Sequence, residues 1–488
     1  MRKITITIIL LLTQIAIIKG QYVSEVIEYK PAPGQLINSA PWGVPQAAQS
    51  ITGTTKGTMT LGAFGGYVIF RFDEPVADDP DNPYGVDFTI FGNASEDWSE
   101  PGVVSVMKDE NNNGIPDDTW YELAGSDYHF SSTIHNYNVT YSNPHEDDAA
   151  DVPWEDNKGD SGYIYSNTYH TQPYYPSNDS FPSIDPDQYQ LSGTHIQPIV
   201  DTSKPGEVKL YERAFGYADN KKRGSEPYTI PDNPYTRKTE NSGGDPFDIH
   251  WAVDSEGNYV DLDTIHFVKI HNGVLAQAGW LGNVSTEITG AVDVASNSTI
   301  SGRKRMIVIQ DLPVSIDTSA YAVKAFAFYN GRLQSNKEIN WSVDTSVASV
   351  DENNILSVTD SCEVTLTASL AEDPSVADTV TAIFNVNADT SGSDTTDNDT
   401  TTAIGYEPNK ENRLHCTVYP NPANDYLKII GISHGRIKIY NTIGKLVYEQ
   451  EQYAEGNRIN LHGLDQGIYL IRIQKGNQRV IKRFVKGR

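Results

Sequence analysis

The chain has little that would staple it. Its two cysteines, Cys362 and Cys416, in 488 residues fall in segments read below as different modules, which excludes a disulfide framework or a cysteine-based zinc site. Basic residues are scarce as well. Thirty-seven Lys and Arg face sixty-four Asp and Glu, for a formal charge of -27, so nucleic acid and anionic membrane are poor partners. Helix-period segments are few. After the first twenty residues no stretch approaches the roughly eighteen apolar residues of a spanning helix, so no transmembrane segment is expected. The chain lacks HExxH, GxxxxGK and a GxGxxG that follows a strand. Its one GxSxG string, Gly431-Ile432-Ser433-His434-Gly435, joins two expected strands without the helix that a nucleophile elbow requires, and reads as a turn.

What remains is enough to fold. With 38% hydrophobic and 21% charged residues the chain can build real cores, and its length suggests about three domains. Residues 1–20 combine Arg2 and Lys3, the apolar run Ile4 to Ile18 and the small Gly20, the pattern of a secretory signal peptide. No cysteine follows the run, so no lipoprotein anchor is expected. The charge is unevenly spread. From Cys416 onward twelve Lys and Arg outnumber five Asp and Glu, whereas Gln21 to His415 holds 22 basic and 59 acidic residues. Residues 389–415, which include the run SGSDTTDNDTTT, are too polar to form a core and read as a disordered linker.

Beyond the linker, period-two runs at Tyr426 to Ile430, Arg436 to Tyr440, Lys445 to Gln450, Ile468 to Gln474 and Arg479 to Val485 predict a small C-terminal β-sandwich. Within it Val418-Tyr419-Pro420-Asn421-Pro422-Ala423, Ile437-Lys438-Ile439-Tyr440-Asn441 with Gly444-Lys445, Gly467-Ile468-Tyr469-Leu470 and the basic end Lys482 to Arg488 resemble the type IX secretion C-terminal sorting domain, over residues 416–488. The resemblance implies passage through the type IX machinery across the outer membrane of a Bacteroidetes bacterium, and so a secreted or cell-surface location.

Residues 301–388 carry evenly spaced strand-like runs, the spacing of a sandwich. Ile339-Asn340-Trp341-Ser342-Val343, Val347-Ala348-Ser349-Val350, Ile355-Leu356-Ser357-Val358 and Val364-Thr365-Leu366-Thr367-Ala368 resemble the bacterial group 2 immunoglobulin-like domain. Trp341 is then expected in its core, and the module is expected to space or present its neighbour.

Residues 21–300 hold six of the seven tryptophans. Strand-like runs at Gly66 to Phe72, Asp87 to Gly92, Val103 to Met107, Thr119 to Leu123, Val208 to Tyr211 and Thr264 to Ile270, joined by loops rich in Asp, Asn, Pro and Gly, predict a jelly-roll-like sandwich, so the whole chain is expected to be all-β. The order of Tyr67 to Phe72, Asp87 to Asn93, Glu100 to Val106 and Trp120 to Leu123 is similar to galactose-binding-like jelly rolls, and Leu61 to Val68 with Gly279-Trp280-Leu281-Gly282 look like a group of poorly characterised bacterial cell-surface proteins. A fold by itself names no ligand.

The strongest chemical motif runs from Asp109 to Asp118. Asp109, Asn111, Asn113 and Asp117 offer side-chain oxygens at positions 1, 3, 5 and 9, Gly114 stands at 6, and Ile115 offers a carbonyl at 7, the opening of a calcium loop. Trp120 replaces the glutamate of an EF-hand, so the run looks closer to the loops of thrombospondin type 3 repeats, with Asp118 or Glu122 completing a structural Ca2+ shell. A metal-free Asn-Gly turn is the competing reading. Tyr163, Tyr165, Tyr174 and Tyr175 lie in an aromatic-rich stretch and are candidate ligand platforms, unless that loop packs its rings inward. Asp248 and His250 alternate with Phe247 and Ile249, which in a strand sets both on one face as an acid and base pair, or as an ordinary solvated edge. Together these features predict a calcium-stabilised surface protein that binds a glycan or small-molecule nutrient, with a glycan-active hydrolase or lyase, or an adhesin, as alternatives.

Overall fold

The computed structural model describes residues 21–201, 208–316, 318–386 and, in the tail, 417–419, 423, 426–430, 434–441, 446–454, 457–464, 467–475 and 478–486. The expected signal peptide, the linker of 389–415 and residues 431–433 of the expected Gly431–Gly435 turn lie outside the described residues. The chain forms two compact units, one through Thr390 and one from Ser391. Both are built of strands. Among the described residues, helix is confined to Pro45–Gln49 and three single 3-10 turns, and none is long and apolar enough to cross a membrane.

Ten strands of the first unit organise the site. In chain order they are β1 (Glu25–Lys30), β2 (Tyr67–Arg71), β3 (Gly102–Met107), β4 (Trp120–Leu123), β5 (Ile134–Ser142), β6 (Val152–Asp156), β7 (Ser161–Ile164), β8 (Gln188–His195), β9 (Ala252–Val253) and β10 (Phe267–Asn272). The main antiparallel sheet runs β1-β2-β10-β3-β4-β9, and a second runs β7-β6-β5-β8. Alternation explains the layering, because successive side chains in a strand point to opposite faces. Val68, Phe70, Val104, Val106, Leu123, Val268 and Ile270 cover one face of the main sheet and pack with Phe88, Ile90, Phe247 and Ala291. These last belong to a three-stranded sheet of Asp245–Phe247, Phe88–Phe91 and Gly290–Asp293, which gives the jelly-roll-like sandwich its second layer.

The opposite face of the main sheet meets β5 and β8. Tyr137, Val139, Tyr141, Tyr189 and Leu191 form a second core with Phe64. The two sheets approach closely at Gly193, where a Cβ would stand 2.3 Å from His271 Nε2. Only glycine fits there.

Strand Arg305–Ile309 pairs with Ala325–Tyr329 and serves two cores at once. Met306, Val308, Phe326 and Phe328 belong to the upstream core, while Ile307, Ile309 and Ala327 belong to the downstream one with Leu356, Val364, Leu366 and Phe384. The seam is reinforced by Phe130 over Phe326 and Phe215 against Phe328, both at 5.2 Å between centroids. Arg213 also lies there, bonded to Asp127 and Asp311 at 2.9 Å each. The downstream module is itself a β-sandwich built around the sheet Ser315–Ile316, Asp373–Phe384, Cys362–Leu370 and Ile339–Val343. Trp341 lies at the margin of its core, half-buried, with Nε1 donating to Asn354 Oδ1 at 3.0 Å.

The second unit is the expected small sandwich. A four-stranded sheet of Leu446–Ala454, His434–Asn441, Gly467–Lys475 and Gln478–Lys486 and a three-stranded one enclose Leu427, Ile429, Ile437, Ile439, Tyr453, Ile471, Ile473 and Phe484.

Candidate functional site

The main sheet's second face is not fully covered. Where β5 and β8 diverge from it, an open groove of about 290 Å³ remains, floored by Ser105 of β3, Trp120 and Glu122 of β4 and Lys269 and His271 of β10, and walled by Tyr128, His135, Asn138 and Thr194. The register makes this a continuous row, because Glu122 pairs with Ser105 and Ser105 with Lys269. A polar row on a sheet face that is otherwise buried is where a ligand would supply the missing partners.

Glu122 stands out chemically. Burial pushes its carboxyl from 4.5 up to about 7, opposed only in part by the Thr194 hydroxyl, which donates to Oε2 at 2.5 Å. His135 lies on the other side of that hydroxyl, with Nδ1 3.4 Å from Thr194 Oγ1 and Nε2 3.1 Å from the Tyr128 carbonyl. A carbonyl only accepts, so Nε2 carries the hydrogen and Nδ1 is left to accept. With Glu122 ionised the hydroxyl donates to the carboxylate; with Glu122 protonated it is free to turn toward His135. The three groups form one hydrogen-bonded row in which burial disfavours the charged form of both Glu122 and His135. His271 is held neutral, since burial depresses it to about 3.

The acidic loop joins β3 to β4 and so ties together two strands of the groove floor. Asp109 is buried and accepts the Asn113 and Gly114 N–H groups at 3.1 and 2.8 Å. Asn111 Oδ1 accepts Asn113 N–H at 2.9 Å, and Asn113 Oδ1 accepts Ile115 N–H at 2.7 Å. Asn113 Nδ2 donates to Asp117 at 3.2 Å. Asp109, Asn111, Asn113 and Asp117 thus lie in one bonded loop, and Gly114 takes a φ of 72°, a left-handed turn that favours glycine. The remaining two expected ligands are engaged elsewhere: Asp118 Oδ2 accepts Glu110 N–H at 3.0 Å, and the Ile115 carbonyl accepts Asp117 N–H at 2.9 Å.

The four candidate tyrosines divide. Tyr174 and Tyr175 are buried in the core with Phe64 and Tyr141. Tyr163 and Tyr165 are exposed, 48% and 45%, with centroids 6.0 Å apart. Asp248 and His250 do not share a strand face: the strand ends at Phe247, and Asp248 caps a 3-10 turn by accepting His250 N–H at 2.8 Å.

Two carboxylate clusters escape a sequence reading because their members are far apart in the chain. The oxygens of Asp78, Asp87 and Asp248, and those of Glu100, Asp219 and Glu287, lie within 4.8 Å of one another in each group. Both groups are chemically able to take a cation. The fully buried second cluster is also satisfied internally: Asp219 accepts N–H from Asn93, Ala94 and Glu287 at 2.8 to 2.9 Å, Glu100 accepts Ser285 N–H at 2.9 Å, and burial drives all three carboxyls toward the protonated form.

The family model of the secretion system C-terminal sorting domain matches residues 417–487. No curated sequence matches the chain at a significant level. Among solved structures, the immunoglobulin domains 1–5 of Sidekick-1 align at 9% identity over 48% of this chain and 50% of that one, with a TM-score of 0.12. Dimeric latent PorU from Porphyromonas gingivalis aligns at 9% identity over 73% and 30%, TM-score 0.12, and domains 1–6 of the surface layer protein SbsC at 10% over 86% and 52%, TM-score 0.16. The chain spans about half the length of these structures or less. Overlays this loose transfer neither topology nor ligand. The tail match stands on sequence, and it agrees with the cationic β-sandwich at that end. The protein carries a type IX sorting tail and is secreted to the cell surface of a Gram-negative bacterium.

Proposed function

We propose that the protein is a surface-displayed glycan receptor whose binding site is the groove over β3, β4 and β10. The carrying observation is the composition of that groove: an aromatic side chain, Trp120, beside hydroxyl, amide, carboxyl and amine groups on a rigid sheet, the combination that stacks on a sugar face while bonding its hydroxyls. Its volume is near the lower end of ligand sites and suits one or two sugar rings at a time, with the chain running out through the open mouth. Tyr163 and Tyr165 offer a second, exposed aromatic surface. In this reading residues 21–300 bind, residues 301–388 support them, and residues 389–415 act as a tether before the tail. A glycan array probed with the protein and its Trp120→Ala variant tests the reading; equal retention of every bound glycan by the variant would remove the groove from consideration.

The acidic loop fits a structural Ca2+. Asp109, Asn111, Asn113 and Asp117 would hold the ion with hard oxygens, and the ion would stiffen the β3–β4 connection beneath Glu122 and Trp120.

A second reading is a glycan hydrolase or lyase. It is favoured by Glu122, whose carboxyl titrates near neutrality beside Thr194 and His135, as a general acid or base requires. Turnover of a bound polysaccharide that Glu122→Gln abolishes, with binding intact, would establish it in place of simple capture.

A further inference from the structure

Lys269 is the unusual cation of this unit. Other cations nearby have partners: Lys108 bonds Asp263 at 2.6 Å, Arg71 bonds Glu25 at 2.6 Å and Arg332 bonds Asp261 at 2.7 Å. Lys269 sits mid-strand on β10, between Ile69 of β2 and Ser105 of β3, half-buried on the groove floor. Among the described residues no carboxylate reaches its ammonium within 4.0 Å. Its one close neighbour is the Tyr67 ring, 4.4 Å from Nζ to the centroid. Glu28, whose charge is felt at Lys269, accepts from the Tyr67 hydroxyl at 2.7 Å. Burial weakens the ammonium's hold on its proton and the Glu28 carboxylate opposes this only in part, so the fold keeps a charge where water solvates it poorly and no carboxylate bonds it directly. Lys269 thus lines the groove with its ammonium held against an aromatic ring rather than bonded to a carboxylate.

We infer that the groove selects anionic glycans and that Lys269 is the residue that reads the charge. This rests on the glycan reading above and narrows it. A sugar-borne carboxylate or sulfate would pair with Nζ while the ring lies toward Trp120. The tyrosine ring on the far side supports the ammonium without competing for the ligand, because it offers a π-face and no lone-pair anion. The formal charge of -27 repels polyanions elsewhere on the surface, so retention of an acidic glycan would mark a local site rather than general attraction.

The test measures affinity of the full chain for alginate, which carries carboxylates, for carrageenan, which carries sulfates, and for carboxyl-reduced alginate, which is neutral. At least tenfold tighter binding of one acidic glycan over the neutral one is expected, and it should weaken with added salt. Lys269→Gln should erase that preference and Lys269→Arg should keep most of it, both with melting temperatures close to the parent. Alginate and carrageenan distinguish carboxylate from sulfate as the anion read. Equal binding of neutral and acidic glycans, unmoved by Lys269→Gln, would overturn the inference and leave the groove as a neutral-sugar site. Binding of none of the three would overturn the glycan reading and this inference with it.

Discussion

Replacing Glu122 by Gln should stabilise the protein, and only at neutral and alkaline pH. In the fold its carboxyl holds its proton up to about 7, against 4.5 when exposed. Between those values the folded chain binds a proton that the unfolded chain has lost, so stability falls as pH rises from about 4.5 to about 7 and stays reduced above that. At about 1.36 kcal/mol per pH unit the interval amounts to about 3 kcal/mol, an upper figure because the residue keeps some contact with water. Glutamine fills the same volume, still accepts from the Thr194 hydroxyl and carries no charge. Glu122→Gln and the parent should therefore melt together at pH 4.5 and separate by several degrees at pH 8, with the variant higher. Scanning fluorimetry across that range measures the difference directly. A gap that is constant with pH, or a variant that melts lower at pH 8, would refute the desolvation argument. A site residue that costs stability is the usual mark of function held against folding.

Four further outcomes follow from named contacts. Chelation should lower the melting temperature of the parent but not of Asp109→Asn, by the equivalent of about 2.7 kcal/mol for calcium at a hundred times its dissociation constant; identical melts with and without chelator would remove the ion. Arg213→Met strands Asp127 and Asp311 at the seam and should cost about 3–5 kcal/mol in denaturant titration, whereas a neutral result would show that neither acid is charged there. Tyr174→Ala should cost about 3–5 kcal/mol as a core truncation, while Tyr163→Ala, exposed, should stay within about 0.5 kcal/mol. Fusing residues 416–488 and a signal peptide to an inert reporter should send it to the surface of a type IX-competent host; retention in the periplasm would contradict the tail assignment.

Four strands of the main sheet, β2, β3, β4 and β10, and the five longer strands of the tail were legible because their alternation is clean, whereas β1 and β9 were not expected. Tyr426–Ile430 has the expected bounds, and Val103 to Met107 and Thr119 to Leu123 differ by one residue at their starts. The groove was not, because one of its walls was missed. Ile134–Ser142 buries Tyr137, Val139 and Tyr141 on alternate positions, yet Asn136, Asn138 and Thr140 interleave them, and such residues weigh as turn formers in a local reading. Gln188–His195 hid in the aromatic stretch for the same reason, and Tyr189 is a strand residue whose hydroxyl donates to the Pro31 carbonyl at 2.7 Å. The candidate site therefore contains Glu122, named only as a spare calcium ligand, together with Lys269, His135 and Thr194, which nothing local distinguishes. Their proximity is a product of register between strands, since Thr194 lies 72 residues from Glu122 and 59 from His135 in the chain. The acidic loop was visible because all its oxygens lie within ten residues.

The shared seam bears on what the two upstream modules can do separately. Arg305–Ile309 reads as one apolar run, Met306-Ile307-Val308-Ile309, because both of its faces are buried, as in strands covered on two sides. A chain ending at Ile300 would leave the upstream core without Met306, Val308, Phe326 and Phe328, four buried side chains. At about 1.5–3 kcal/mol for each apolar side chain buried, their loss removes about 6–12 kcal/mol, comparable with the whole stability of a typical domain at about 5–15 kcal/mol. The downstream sandwich is thus part of the structural support of the groove, and any force or ligand that shifts it acts on the Arg213 seam and on Asp127, two residues after Gly125 in the segment that leads from β4 into Tyr128.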